Sequence, residues 1–121
     1  MKKLVLLIVI ICSFLLLSCS PKIPSGMAQE TYDVGVKALE IMDKYNNADI
    51  NADEADQRLD ALYAKLDALE LSDEAESEYG LSADTYNLHV QISISYFQYQ
   101  LSSGGDTYSV ADDLRESLEL N

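Results

Sequence analysis

Residues 59–62 read Leu-Asp-Ala-Leu, and the same four residues return seven positions later at 66–69. Together with Ala52 and Ala55, the leucines at 59, 62, 66 and 69 place an apolar side chain at alternating steps of three and four. That spacing lines one face of an α-helix. In water such a seam must be covered, and fewer than three heptads are too few for a free-standing coiled coil. The seam therefore calls for helices from the same chain. Its start is marked as well: Asn51 with Glu54 three positions on reads as a capping box, and Ile50 before the cap is placed to staple onto Ala55.

Three further segments supply partners. Over 29–45, Tyr32, Val36, Leu39 and Met42 follow helical spacing, Val34, Ala38, Ile41 and Tyr45 widen the face, and Asn46-Asn47 favours a stop. Over 82–102 two periods compete. Val90, Ile92, Ile94 and Tyr96 alternate as in a half-buried strand, whereas Val90, Ile94, Phe97 and Leu101 fit one helical face, with Tyr86 and Leu88 extending it. About 20 residues without Gly or Pro, and no second strand to pair with, decide for a helix. Ser103-Gly104-Gly105-Asp106 is a break. A short last helix follows, with Thr107 or Ser109 as cap, Asp112 and Asp113 in the first turn, and Val110, Leu114 and Leu118 facing inward. The fold class expected is all-α: a small antiparallel bundle of three to four helices occupying 29–121.

Upstream, Lys2 and Lys3 precede 14 apolar or nearly apolar residues, 4–17, and then Ser18 and Cys19. A basic start, a short apolar core and a small residue at a cut site are the parts of an export signal. The apolar stretch falls short of the roughly 20 residues a bilayer-crossing helix needs. Leu16-Leu17-Ser18-Cys19 resembles the lipobox of bacterial lipoproteins: an aliphatic residue, a tolerated position, a small residue and the cysteine. The resemblance covers these four residues and the leader, and Leu17 departs from the more usual Ala or Ser. It implies a signal peptide at 1–18, removed after a diacylglyceryl group is attached to the Cys19 thiol. The protein would then sit lipid-anchored in the cell membrane or the outer membrane, facing the periplasm or the exterior. Residues 19–28 hold Pro21, Pro24 and Gly26 and read as a short linker of at most about 35 Å.

Beyond residue 18 there are six basic and 21 acidic residues, a balance of −15. The six, Lys22, Lys37, Lys44, Arg58, Lys65 and Arg115, are scattered, so nucleic acid is not an expected partner. The same charge repels anionic headgroups and leaves membrane attachment to the lipid on Cys19. Cys12 and Cys19 are the only cysteines. A processed chain has no thiol to pair, and its stability rests on packing.

Catalytic chemistry is poorly represented. His89 is the only imidazole, and no Ser lies in a Gly-x-Ser-x-Gly turn. One imidazole without thiolates does not make a zinc site. Asp49, Asn51, Asp53 and Asp60 fall at positions 1, 3, 5 and 12 of a calcium-loop count, but Glu54 stands where the loop needs glycine. Asp73, Glu74, Glu76 and Glu78 read as a solvated connection. No metal and no cofactor is expected. Of the eight tyrosines, Tyr32, Tyr45, Tyr63, Tyr86 and Tyr96 fit core-edge packing, while Tyr96 and Tyr99 flank Phe97 as a candidate binding stripe. The functional expectation is a non-enzymatic, membrane-anchored helical interaction module with an envelope or extracellular protein as partner. A small-ligand or cation-binding envelope lipoprotein is the alternative.

Overall fold

The computed structural model describes residues 23–71 and 82–120; the leader, Cys19 and the acidic stretch 73–78 lie outside the described residues. Among the described residues there are four helices and no strand: α1 (Gln29–Asn46), α2 (Ala52–Asp67), α3 (Ala83–Ser103) and α4 (Thr107–Ser117). Three of them open on a side-chain cap. The Glu54 N–H donates to Asn51 Oδ1 at 2.8 Å, the Thr85 N–H to Ser82 Oγ at 3.2 Å, and the Tyr108 and Ser109 N–H groups to Asp106 Oδ1 at 3.0 and 3.1 Å. Each satisfies donors that the helix itself cannot.

Three helices close in the same way. Past α1, the Asp49 N–H donates to Lys44 O and the Ala48 N–H to Tyr45 O; past α4, Leu120 N–H donates to Arg115 O and Glu119 N–H to Glu116 O. After α3, Gly105 N–H reaches Gln100 O. These are Schellman closures, which put one residue in the left-handed region. That residue is Gly104 (φ 70°) after α3, but Ala48 (φ 63°) after α1 and Glu119 (φ 56°) after α4.

Consecutive helices pack side by side, α4 returns to α1, and α1 crosses the centre to meet α3, while α2 and α4 stand at opposite corners. Directions alternate. Asn87 Nδ2 donates to Leu66 O near the start of α3, and Gln98 Nε2 donates to Asp60 Oδ1 near its end, so residue numbers rise along α3 as they fall along α2. On the other side Asn46 meets Thr107 and Gly35 faces Leu118. A Cβ on Gly35 would lie 2.9 Å from Leu118 Cδ2, so the absent side chain lets the end of α4 approach α1.

The core is built from Met42, Leu59, Leu66, Val90, Ile94, Phe97, Leu114 and Leu118, all fully buried. Phe97 receives the edge of Tyr45 at 6.0 Å and 86°. The α2 seam is buried at Ala55, Leu59, Leu62 and Leu66, and Leu69, past the helix end, packs half-buried against the core. Ahead of α1, the Met27 N–H donates to Pro24 O at 3.1 Å, Pro24 is buried, Met27 enters the core and Ile23 packs against it.

The antiparallel all-α bundle is thus the observed fold, with four helices. Several details differ from expectation. Thr107 does not cap α4: it is its first residue, buried, with its hydroxyl donating to Asn46 Oδ1 at 2.6 Å, and Asp106 takes the cap. Asp112 and Asp113 accordingly fall in the second turn. In α1 Tyr32, Val34, Ala38, Leu39 and Met42 are buried as expected, joined by Thr31 and Gly35, whereas Val36 is only half-buried. Leu88, Tyr63 and Tyr96 do not join the core.

Candidate functional site: an apolar stripe on the third helix

α3 carries two apolar faces. Ala83, Tyr86, Val90, Ile94 and Phe97 face the core. Leu88, Ile92, Tyr96 and Tyr99 lie on the opposite side, exposed by 54%, 54%, 50% and 63%. The strand-like alternation in the sequence has its cause here. At 100° per residue, Val90 and Ile94 turn inward while Ile92 and Tyr96, two positions out of phase, turn outward. Both sets are apolar, so alternate residues look apolar.

The outward set forms one surface. The Tyr96 and Tyr99 rings stack with centroids 6.4 Å apart and an interplanar angle of 11°. Tyr63, 36% exposed, extends the surface onto α2. With Leu88, Gln91, Ile92 and Ser95 these tyrosines line a shallow groove of about 340 Å³. The helix beneath is held against α2 at both ends: Asn87 bonds Leu66 O at 3.0 Å near its start, and Gln98 bonds Asp56 O at 3.3 Å and Asp60 Oδ1 at 2.7 Å near its end. A rigid element presenting aromatic side chains, which bring large area and few rotors, is a favourable binding platform.

Charge sets this helix apart. Within Ala83–Ser103 the only formal charge is Asp84; there is no Lys or Arg. α2 by contrast carries Asp53, Glu54, Asp56, Asp60 and Asp67 against Arg58 and Lys65. The stripe is therefore a nearly neutral apolar strip on an acidic molecule.

The second hollow worth weighing lies at the other end of the bundle from Met27. Tyr45, Asn46, Ala48, Asp49, Ile50, Asn51, Glu54, Thr107 and Tyr108 surround an open space of about 610 Å³. Its polar groups are largely engaged. Asn46 bonds Thr107 through both its oxygen and its nitrogen, Tyr108 Oη donates to Asn46 O at 2.9 Å, and Asn51 Oδ1 caps α2. Nearby, Arg115 holds both oxygens of Asp43 at 2.8 Å and reaches Asp112 at 2.7 Å. The hydrogen bonds that Arg115 donates to Asp43 raise its pKa against the opposing effect of burial. This ion pair ties α1 to α4 through one guanidinium nitrogen, Nη2, shared between the two Asp43 oxygens.

The calcium-loop count does not converge. Asp49 and Asn51 border the distal hollow, Asp53 borders a different one beside Gln98, and Asp60 accepts from Gln98 two turns along α2. Among the described residues no three His, Cys, Asp or Glu side chains gather as a metal-holding group. His89 is exposed and borders a small, mostly apolar cavity of about 180 Å³ with Met27, Tyr86, Val90, Ser93, Leu114 and Ser117. No carboxylate lines that cavity.

Of the expected stripe, Tyr96 and Tyr99 stand together on the surface, but Phe97 between them is wholly buried. Leu88, Ile92 and Tyr63 were missed as surface members. The steps Leu88, Ile92, Ser95, Tyr99 are four, three and four residues, the same periodicity that marks the α2 seam. No family model matches the chain, and neither does any curated protein or solved structure.

Proposed function

We propose that the protein is a lipid-anchored lipoprotein of the bacterial cell envelope whose helical bundle is a non-enzymatic interaction module, docking protein through the outward face of α3. The observation that carries the reading is the exposed line Leu88, Ile92, Tyr96 and Tyr99 on a rigid, almost uncharged helix. A contiguous apolar surface rimmed by polar residues is kept in water at a solubility cost, which is the usual mark of an interface.

The anchor rests on Leu16-Leu17-Ser18-Cys19 and the leader before it. The docking of Ile23, Pro24 and Met27 onto the bundle supports a short tether. Only four residue steps separate Cys19 from Ile23, at most about 14 Å of chain. The end of the bundle that holds the start of α1 then rests at the bilayer, in the cell membrane or the outer membrane, with α3 rising away from it toward the periplasm or the exterior. Two acyl chains on Cys19 give stable attachment, at about 0.8 kcal/mol per buried methylene.

Two variants test the reading on the full chain. Cys19→Ala should end incorporation of labelled fatty acid and move the protein from the membrane pellet to the soluble fraction; retention in the pellet would refute the anchor. Ile92→Glu with Tyr96→Glu should remove the proteins that co-purify with the wild-type chain from detergent-solubilised membranes. An unchanged set would refute the α3 face as the docking surface.

A further inference from the structure

We propose that the occupant of the α3 stripe is the same stripe of a second copy, the two α3 helices packing parallel within one membrane. The inference rests on the lipid-anchored reading and names the partner that reading leaves open.

Charge selects the partner first. Two domains that each carry a balance of −15 repel wherever acidic faces meet, and α1, α2 and α4 all bear several acids. α3, with Asp84 alone, is the one helix along which two copies approach without placing like charges in contact. A basic partner would find its complement on α2 instead. Area is the second argument. Tyr63, Leu88, Ile92, Tyr96 and Tyr99, at 36–63% exposure, offer on the order of 500 Å² per copy, so on the order of 1,000 Å² when two meet. That reaches the lower end of specific interfaces, and confinement of both copies to one bilayer raises their effective concentration.

Orientation follows from the tether. α3 starts at the same end of the bundle as α1, where Ile23 and Met27 dock. With that end held within about 14 Å of the anchored residue, copies in one membrane point the same way. Their two-fold axis then runs along the membrane normal, and α3 meets its counterpart in parallel. The stripe suits this arrangement. Leu88, Ile92, Ser95 and Tyr99 keep the four-three-four spacing of a coiled-coil seam, Ser95 allows close approach at its middle, and the stacked Tyr96 covers one flank. In a parallel pair each of these residues faces its own counterpart. In an antiparallel pair Leu88 would face Tyr99, and the two Tyr99 side chains would stand far apart.

Full-length chains with Ile92→Cys, Tyr99→Cys or, as a control on α1, Glu40→Cys are treated in isolated membranes with a short bis-maleimide. The unsubstituted chain controls for Cys19. Dimer is expected from Ile92→Cys and Tyr99→Cys, not from Glu40→Cys, and is lost when Tyr96→Glu is added. Higher salt should increase the dimer fraction, since it screens the remaining repulsion between acidic faces. Monomer alone in the membrane fraction, dimer from Ile92→Cys without dimer from Tyr99→Cys, or cross-links only to other proteins would each overturn the inference and leave the anchor standing. Recovery of the chain in the soluble fraction would instead overturn the anchored reading beneath it.

Discussion

Ile92 and Ile94 are the same residue type two positions apart on one helix, yet they do different work. Ile94 is fully buried and Ile92 is 54% exposed. Replacing Ile94 with Ala removes buried methylenes from a packed core and should cost about 3 kcal/mol. Ile92→Ala removes side chain already in water and should change stability by no more than about 0.5 kcal/mol. Urea unfolding of dilute, detergent-solubilised chain measures both. Equal losses would mean that the outward face is structural. The same reasoning separates Phe97, which the core encloses, from the stacked tyrosines on either side of it. At the α1–α4 edge, Arg115 grips Asp43 with two 2.8 Å bonds at a half-exposed site. Arg115→Ala is expected to cost about 0.5–1 kcal/mol, the upper part of the range for surface pairs, because Nη2 meets both Asp43 oxygens while Nη1 holds Asp112. An unchanged unfolding midpoint would show the ion pair to be incidental.

Among the elements, most boundaries are legible in local residue types, at starts and ends alike. Asn51 with Glu54 announced α2, and the Asn51 carboxamide oxygen accepts the Glu54 N–H, while the Glu54 carboxylate pairs with Arg58 instead of returning to the cap. Asp106 was read as part of a break because Gly104 and Gly105 precede it, although an Asp immediately before a helix is a strong cap. Asn46-Asn47 marks the end of α1, but nothing in the sequence marks the left-handed closing residues Ala48 and Glu119, because neither is glycine. A side chain in that conformation costs roughly 1 kcal/mol, and both residues are exposed. Ala48→Gly and Glu119→Gly should therefore each stabilise the protein by about 0.5–1 kcal/mol, visible as a raised melting temperature. A lowered one would place the strain elsewhere. α3 was the element where pattern and structure were hardest to match. A helix apolar on two sides has no single polar face, so its helical period is blurred and a period of two emerges from Val90, Ile92, Ile94 and Tyr96. The ambiguity is the trace of a second, exposed apolar face, and Leu88 lies on it rather than on the core face of Val90 and Ile94.

For the whole molecule, the bundle follows from the number of amphipathic segments and from two short connections, residues 47–51 joining α1 to α2 and 104–106 joining α3 to α4. What could not be read was how residues before α1 contribute. Pro21, Pro24 and Gly26 suggest a linker by composition, but Pro24 and Met27 bury themselves against the bundle. Local composition carries no information about a distant surface that offers a place to dock. That contact brings the bundle close to Cys19 and gives α3 its direction relative to the membrane in the reading advanced here. We propose above all that the outward face of α3 is where this protein meets protein. The most direct test places a photo-activatable amino acid at Ile92 or, as a control, at Glu40 on α1, and irradiates intact cells expressing the full chain. Adducts of higher mass from Ile92, with none from Glu40, are the predicted result. Absence of adducts from Ile92, or equal yields from both positions, would contradict it.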